Sequence, residues 1–191
     1  MRNRLVVFII SLFIVNYIGG QNPINGFLGI ELGQKSYVAI DILKKRYPKL
    51  EWKYPSIYIK DITFVGTTFN NLIVSFKEEK LVEATFTLSE QKYAAENPFR
   101  DNSNIQLEMN NKQNYLVQKF SRIFNDLNDS FCSKYGNPAA SNSGYMVWRD
   151  HNFNSIILNF TINNNYSSSS GLYTSTGKIT VTYRKGNNEE F

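Results

Sequence analysis

The sequence predicts an α+β fold: two similar helix-then-three-strand units, with an antiparallel sheet and helices packed on one face. Three observations lead there. Apolar residues recur at helical spacing in a segment near residue 40 and in another near residue 120. Three segments of β-branched and aromatic residues follow each of them. The stretch Phe69-Asn70-Asn71-Leu72-Ile73-Val74-Ser75-Phe76 also matches Phe153-Asn154-Ser155-Ile156-Ile157-Leu158-Asn159-Phe160 at four of eight positions, as a duplication requires. The 191 residues are 42% apolar and 15% aromatic, which is enough for the core of one domain or two small ones and excludes a disordered or collagenous chain.

Met1-Arg2-Asn3-Arg4 is a short basic start, and the apolar run from Leu5 to Ile18 is interrupted only by Ser11, Asn16 and Tyr17. That is the layout of a secretory signal peptide. As a helix the run is about 21 Å long, short of a hydrocarbon core of roughly 30 Å, so cleavage is expected near Gly20/Gln21. No Cys lies at that junction to carry a lipid. The mature chain is expected to be soluble after export, periplasmic or secreted, without stable membrane insertion. The expected divisions are a signal peptide at 1–20, a first α+β repeat at 21–97, a linker at 98–111 and a second repeat at 112–191.

Between Lys35 and Tyr47, residues Ala39, Ile42, Leu43 and Tyr47 share one helical face, with Ser36 near the start and Pro48 beyond the end. From Lys112 to Tyr135, residues Leu116, Val117, Phe120, Ile123, Phe124, Leu127 and Phe131 do the same, and Gly136 and Pro138 supply the stop. Strands are expected over 56–65, 69–76 and 81–88, and again over 145–149, 155–162 and 178–184. Tyr47-Pro48 answers Tyr135-Gly136-Asn137-Pro138, and Lys80-Leu81-Val82 answers Lys178-Ile179-Thr180. Short turns such as Lys77-Glu78-Glu79-Lys80 make hairpins of consecutive strands. Alternation sets Val82, Ala84, Phe86 and Leu88 against Glu83, Thr85 and Thr87, so the second sheet face is expected to be polar. Two stretches break the pattern: Ser89 to Asn111, which holds Asn97-Pro98 at the join, and Asn163 to Gly177, a Ser-, Asn- and Tyr-rich loop.

The formal charge of +5 falls to +3 once Arg2 and Arg4 leave with the signal peptide. That is too weak for a nucleic-acid binder, whose affinity comes largely from phosphate neutralisation. Residues 35–60 nevertheless carry a net +5, either as a solvated helix end or as a surface for acidic partners. The single Cys132 excludes an internal disulfide and a cysteine-built metal site. Asp150 and His151, the only histidine, fall at a turn without a nucleophile elbow or a second metal ligand. Cys132 lies on the flank of the second helix, either as a half-buried inert thiol or as a reactive or intermolecularly paired one, and no carboxylate pair is set for acid and base work. No catalytic residue, metal or cofactor is therefore expected. Tyr145, Trp148, Tyr166 and Tyr173 are the candidate binding residues, because Tyr and Trp anchor interfaces. Alternation puts Tyr145 and Val147 on one face, Met146 and Trp148 on the other, and one of these faces must meet the helix.

The run Phe27-Leu28-Gly29-Ile30-Glu31-Leu32-Gly33-Gln34-Lys35-Ser36, then Lys134-Tyr135-Gly136-Asn137-Pro138, Val147-Trp148 and Lys178-Ile179-Thr180-Val181-Thr182-Tyr183, resembles uncharacterised exported proteins of Bacteroidetes. The tandem helix-plus-sheet plan is similar to that of β-lactamase inhibitory protein and of outer-membrane assembly lipoproteins of the SmpA/OmlA type, although the lipidated Cys of the latter is missing. In those relatives a sheet face or its loops grips another protein. The resemblance thus implies a non-catalytic binding module for a protein or cell-envelope component. A small-molecule or lipid carrier, with a pocket between helix and sheet, is the alternative. An envelope hydrolase would need Asp150, His151 and Cys132 to converge.

Overall fold

A computed structural model describes residues 22–95, 102–168 and 170–186. The expected signal peptide, its cleavage site at Gly20/Gln21 and Asn97-Pro98 lie outside the described residues. The chain runs β1 (Gly26–Phe27), β2 (Ile30–Glu31), α1 (Ser36–Arg46), β3 (Glu51–Lys53), β4 (Ser56–Phe64), β5 (Thr67–Lys77) and β6 (Lys80–Ala95). It continues with α2 (Asn102–Tyr135), β7 (Ala140–Asn142), β8 (Tyr145–Arg149), β9 (Ser155–Ser167) and β10 (Leu172–Arg184). Strands β3 to β10 form one antiparallel sheet in the order β3-β4-β5-β6-β10-β9-β8-β7. The fold is α+β, with both helices contributing to the core on one face of that sheet.

The two meanders meet through their last strands, and the register makes them copies of each other. Phe86 pairs with Val181 and Ala84 with Tyr183, so a half-turn about an axis between β6 and β10 exchanges Phe86 with Tyr183 and Ala84 with Val181. The same operation relates the Leu72–Phe86 pair to Ile156–Tyr183 and the Ile59–Leu72 pair to Trp148–Ile156. The axis passes through the Thr85–Thr182 pair, whose hydroxyls lie 3.1 Å apart. On the opposite face the ring of Phe27 sits 5.6 Å from Phe86 and 5.3 Å from Tyr183, between the two related side chains. Phe76 pairs with Leu81 as Phe160 pairs with Ile179, the equivalence expected from Lys80-Leu81 and Lys178-Ile179.

The sequence patterns place most elements, and the departures have physical reasons. Each unit has a fourth strand, β3 or β7, of three exposed residues at a sheet edge, where nothing buried creates an alternating signal. A bulge beside Ser75 and Phe76 shifts the parity of β6, so Leu81, not Val82, is buried with Ala84 and Phe86. Residues 102–111, expected as linker, are the start of α2; the Asn- and Gln-rich sequence hides a stripe in which Ile105 is buried and its neighbours are mostly solvated. Of the break expected from Ser89, residues 89–95 are strand, and of the loop expected over Asn163–Gly177, residues 163–167 and 172–177 are strand. Here β6, β9 and β10 extend together, pairing Ala94 with Tyr173 and Tyr173 with Tyr166. Backbone ladders satisfy these polar residues, and their small Ser, Asn and Thr side chains leave little hydrophobic trace.

Helix α1 buries Ala39 and Leu43. Its start is held on the β5–β6 turn by Ser36 N–H to Glu79 O (2.7 Å) and by the Gly33–Leu81 and Leu81–Gln34 backbone bonds. Glu78 and Glu79 take the positive φ of a two-residue hairpin turn. Helix α2 buries Leu116, Phe120, Phe124, Leu127 and Phe131, while Val117 faces solvent. It lies so close to β10 that a Cβ on Gly177 would be 2.8 Å from the Phe120 ring. Gly136, with φ of 79°, ends it by donating to Cys132 O.

The segment before α1 carries Ile24, Phe27, Ile30 and Leu32 into the core and ties the two units together. Ile24 N–H donates to Asp150 Oδ2 at 2.9 Å, and the Asn154 amide donates to Ile24 O. Asp150 also accepts from the N–H groups of Asn152 and Asn154, both at 2.9 Å. The carboxylate expected at a plain turn is therefore a buried organiser of the β8–β9 turn.

Candidate functional site

Because α1 and α2 cover one sheet face, the other is the broadest surface the fold leaves open. Its central row runs across all eight strands: Glu51, Tyr58, Ile73, Thr85, Thr182, Ile157, Val147 and Ala140. One row beyond lie Ser56, Ser75, Glu83, Arg184, Ser155 and Arg149, with Ser56 and Ser75 hydroxyls 3.2 Å apart and Glu83 holding Arg184 at 2.8–2.9 Å. The floor thus mixes short hydroxyl side chains (Ser56, Ser75, Thr85, Ser155 and Thr182) with the apolar Ile73, Ile157 and Val147 and with charged side chains toward its rim. The short hydroxyl side chains lose little conformational entropy when a partner covers them.

In the second unit this face sinks into a concavity of about 680 Å³. Val147 and Ile157 form its floor, with Tyr145 and Phe153 beside them, and Arg149, Arg184 and Lys185 bring positive charge to its lining. The same place in the first unit is built differently. By register Tyr58 stands where Val147 does, Lys60 where Arg149 does and Thr87 where Arg184 does. Glu51 lies 3.1 Å from Lys53 and 3.9 Å from Lys60, and its carboxyl is held below the ordinary range by the Lys53 hydrogen bond and the two ammonium charges.

The four aromatic candidates do not come together. Tyr145 lines the concavity and is 37% exposed. Trp148 is fully buried on the helix face, with its ring against Phe131 and its indole N–H on Gly136 O at 2.9 Å. It is a core residue and offers a partner no surface. Tyr166 and Tyr173 face each other across the β9–β10 hairpin, ring centroids 4.4 Å apart. Sequence reasoning missed Arg149, Arg184 and Lys185, while Phe153 belongs to the aromatic cluster it marks with Tyr145, Trp148 and Phe160. The alternation that put Tyr145 and Val147 on one face pointed toward those three, but nothing local told which face the helix takes.

Against models of protein families, curated proteins and solved structures, the chain finds no match. The site must be read from its own geometry.

The remaining chemistry is sparse. His151 is exposed in the β8–β9 turn, while the Asp150 oxygens accept the hydrogen bonds that shape that turn. Cys132 is half-buried, its thiol pushed up by burial and by Asp129, which leaves it protonated and weakly nucleophilic near neutral pH. Among the described residues no group of three His, Cys, Asp or Glu is placed to hold a metal ion, and no helix is long and apolar enough to cross a membrane. A second, shallower groove of about 800 Å³ lies between α2 and the β4–β5 turn. Beside it Glu90 joins Lys92 at 2.8 Å and Lys119 on α2. The Lys119 and Lys92 hydrogen bonds lower the Glu90 carboxyl, and Glu90 raises the Lys119 ammonium.

Proposed function

We propose that this chain is an exported, non-catalytic binding module that grips another protein or a cell-envelope component through its open sheet face. The observation that carries the reading is the concavity over Val147 and Ile157 on a face that neither helix covers. An apolar floor with polar and charged side chains around it has the anatomy of a recognition surface. The resemblance in plan to β-lactamase inhibitory protein and SmpA/OmlA-type lipoproteins, read from the sequence alone, implies the same role.

A carrier of lipids or small molecules calls for enclosed apolar space between helix and sheet. The groove beside α2 supports that reading less well, because Gln118, Lys119, Arg122 and Asp126 line it alongside Leu88, Tyr115 and Ile123.

The test is native mass spectrometry and affinity capture from envelope extract, using residues 21–191 beside a Thr85→Arg/Thr182→Arg variant that sets two charges on the open face. A protein retained by the native chain and lost by the variant is the expected result. Retention of a small molecule by both chains would instead favour the carrier. Turnover in a hydrolase screen with no partner captured would overturn the binding reading.

A further inference from the structure

We infer that the hollow between the C-terminal end of α1 and the edge of β4 is a binding site for a di- or tripeptide with free termini and apolar side chains. The site is separate from the concavity over Val147 and Ile157 and stands whether or not the open face grips a partner. The bare edge of β4 is the first argument. This strand has nine residues, of which only Ser56, Ile57 and Tyr58 pair outward with β3. Residues 47–50 form a turn closed by Leu50 N–H to Tyr47 O at 3.1 Å, and Pro48 inside it has no N–H to give. The chain therefore reaches β3 without running beside Ile59. Among the described residues no backbone hydrogen bond reaches Ile59, Lys60 or Asp61 on the side away from β5. The second unit closes the same edge sooner: β8 has five residues, three of them pair with β7, and Ala139 N–H adds a bond to Val147 O.

The shape of the hollow is the second argument. A cavity of about 540 Å³ lies along this bare run, within the range of about 300–1,000 Å³ typical of ligand sites. Tyr47 and Leu50, which pack on the core, give it apolar walls together with Tyr58 and Ile59. Asp61 takes a φ of 50°, and the pairing with β5 skips it. The straight edge is thus Ile59 to Asp61, about 10 Å of strand. That length fits a di- or tripeptide, while the charges of Lys60 and Asp61 discourage a longer strand from adding to the sheet.

Charge complementarity supplies the termini. Of the charged side chains in the lining, Arg46 donates to Leu28 O at 3.0 Å, and Glu51 lies 3.1 Å from Lys53 and 3.9 Å from Lys60. Lys49 and Asp61 line the same cavity, have no partner among the described residues and do not pair with each other. Two opposite charges held apart over one apolar hollow match the carboxylate and the ammonium at the two ends of a short peptide. The backbone of Ile59–Asp61 then offers the groups that pair with its middle.

Isothermal titration calorimetry of residues 21–191 with the tripeptide leucyl-phenylalanyl-leucine tests this, beside its N-acetylated, C-amidated and doubly blocked forms. The free tripeptide is expected to bind. N-acetylation is expected to weaken it about threefold to fivefold in the native chain and to change little in Asp61→Asn, and amidation to behave likewise with Lys49→Gln. Both residues are exposed, and Asn tolerates a positive φ, so circular dichroism and melting are expected to match the native chain. Amide hydrogen exchange is expected to slow at Ile59–Asp61 in the complex. Slowing at β8 and β9 instead, or binding indifferent to both substitutions, would place the ligand elsewhere and overturn the assignment. A doubly blocked tripeptide that binds as tightly as the free one would overturn the recognition of termini. No binding by the free tripeptide would overturn the site itself.

Discussion

The two units share a meander and a register but differ in what lies at equivalent positions. Asp61 and Asp150 occupy the same place after Lys60 and Arg149 in their strands. Asp61 is exposed at a positive φ of 50°, whereas Asp150 is 5% exposed and collects the N–H groups of Ile24, Asn152 and Asn154. Helix α1 has 11 residues and is supplemented by the β1–β2 segment, while α2 has 34 and extends along a lengthened hairpin. The comparison teaches that topology was preserved while burial was redistributed. Equivalent residues therefore report on their surroundings more than on their place in the repeat.

That lesson can be broken most easily at the two aspartates. Asp150→Ala strands several buried donors and is expected to cost about 3–5 kcal/mol, whereas Asp61→Ala, at an exposed site whose positive φ suits Asp better than Ala, should cost only about 1 kcal/mol. Urea denaturation of both variants decides it, and equal losses would show that the turn does not depend on the carboxylate. A smaller effect is expected on the helix face, where Gly177→Ala places a Cβ against Phe120. Overpacking of this kind costs about 1–3 kcal/mol, read as a lower melting temperature, and an unchanged value would mean that α2 shifts freely.

On the open face Tyr58→Val, in a side chain that is 36% exposed and lines a cavity of about 540 Å³, is expected to cost about 1 kcal/mol or less, read from the urea midpoint, and a larger loss would show that the Tyr58 ring is part of the core. The smallest effect concerns pH. Glu90 has its carboxyl lowered from about 4.5 by Lys119 and Lys92, so its contribution is complete above that value and is lost as pH falls through the lowered one. Both side chains are partly exposed, which keeps the contribution below about 1 kcal/mol. Glu90→Gln should flatten this part of the stability profile between pH 5 and pH 3, and an unchanged profile would remove the bridge from the account.

Much of the architecture was legible because it rests on periodicity. Phe120, Phe124, Leu127 and Phe131 can only be buried together on one helical face, and Leu72 to Phe76 repeats in Ile156 to Phe160 because the two segments fill equivalent strands. Sequence patterns failed where pairing, not burial, holds the chain. The hairpin of Asn163–Tyr166 with Tyr173–Thr176 and the edge strands β3 and β7 are backbone ladders under polar side chains. The candidate site was half legible. Tyr145 and Val147 were seen to share a face, but Arg184 and Lys185 come from the far end of the chain, and only the sheet order brings them beside β8.

The sequence by itself determined the class of the fold, the two helices, the alternating strands and the repeat, since each follows from local spacing of apolar residues. Tertiary structure alone decided that β6 and β10 join the units, that Trp148 goes inward and Tyr145 outward, and that Asp150 is a buried anchor for Ile24. Those outcomes depend on which sheet face the helices occupy and on pairings between residues up to 130 positions apart, and no local pattern encodes a choice made between distant partners.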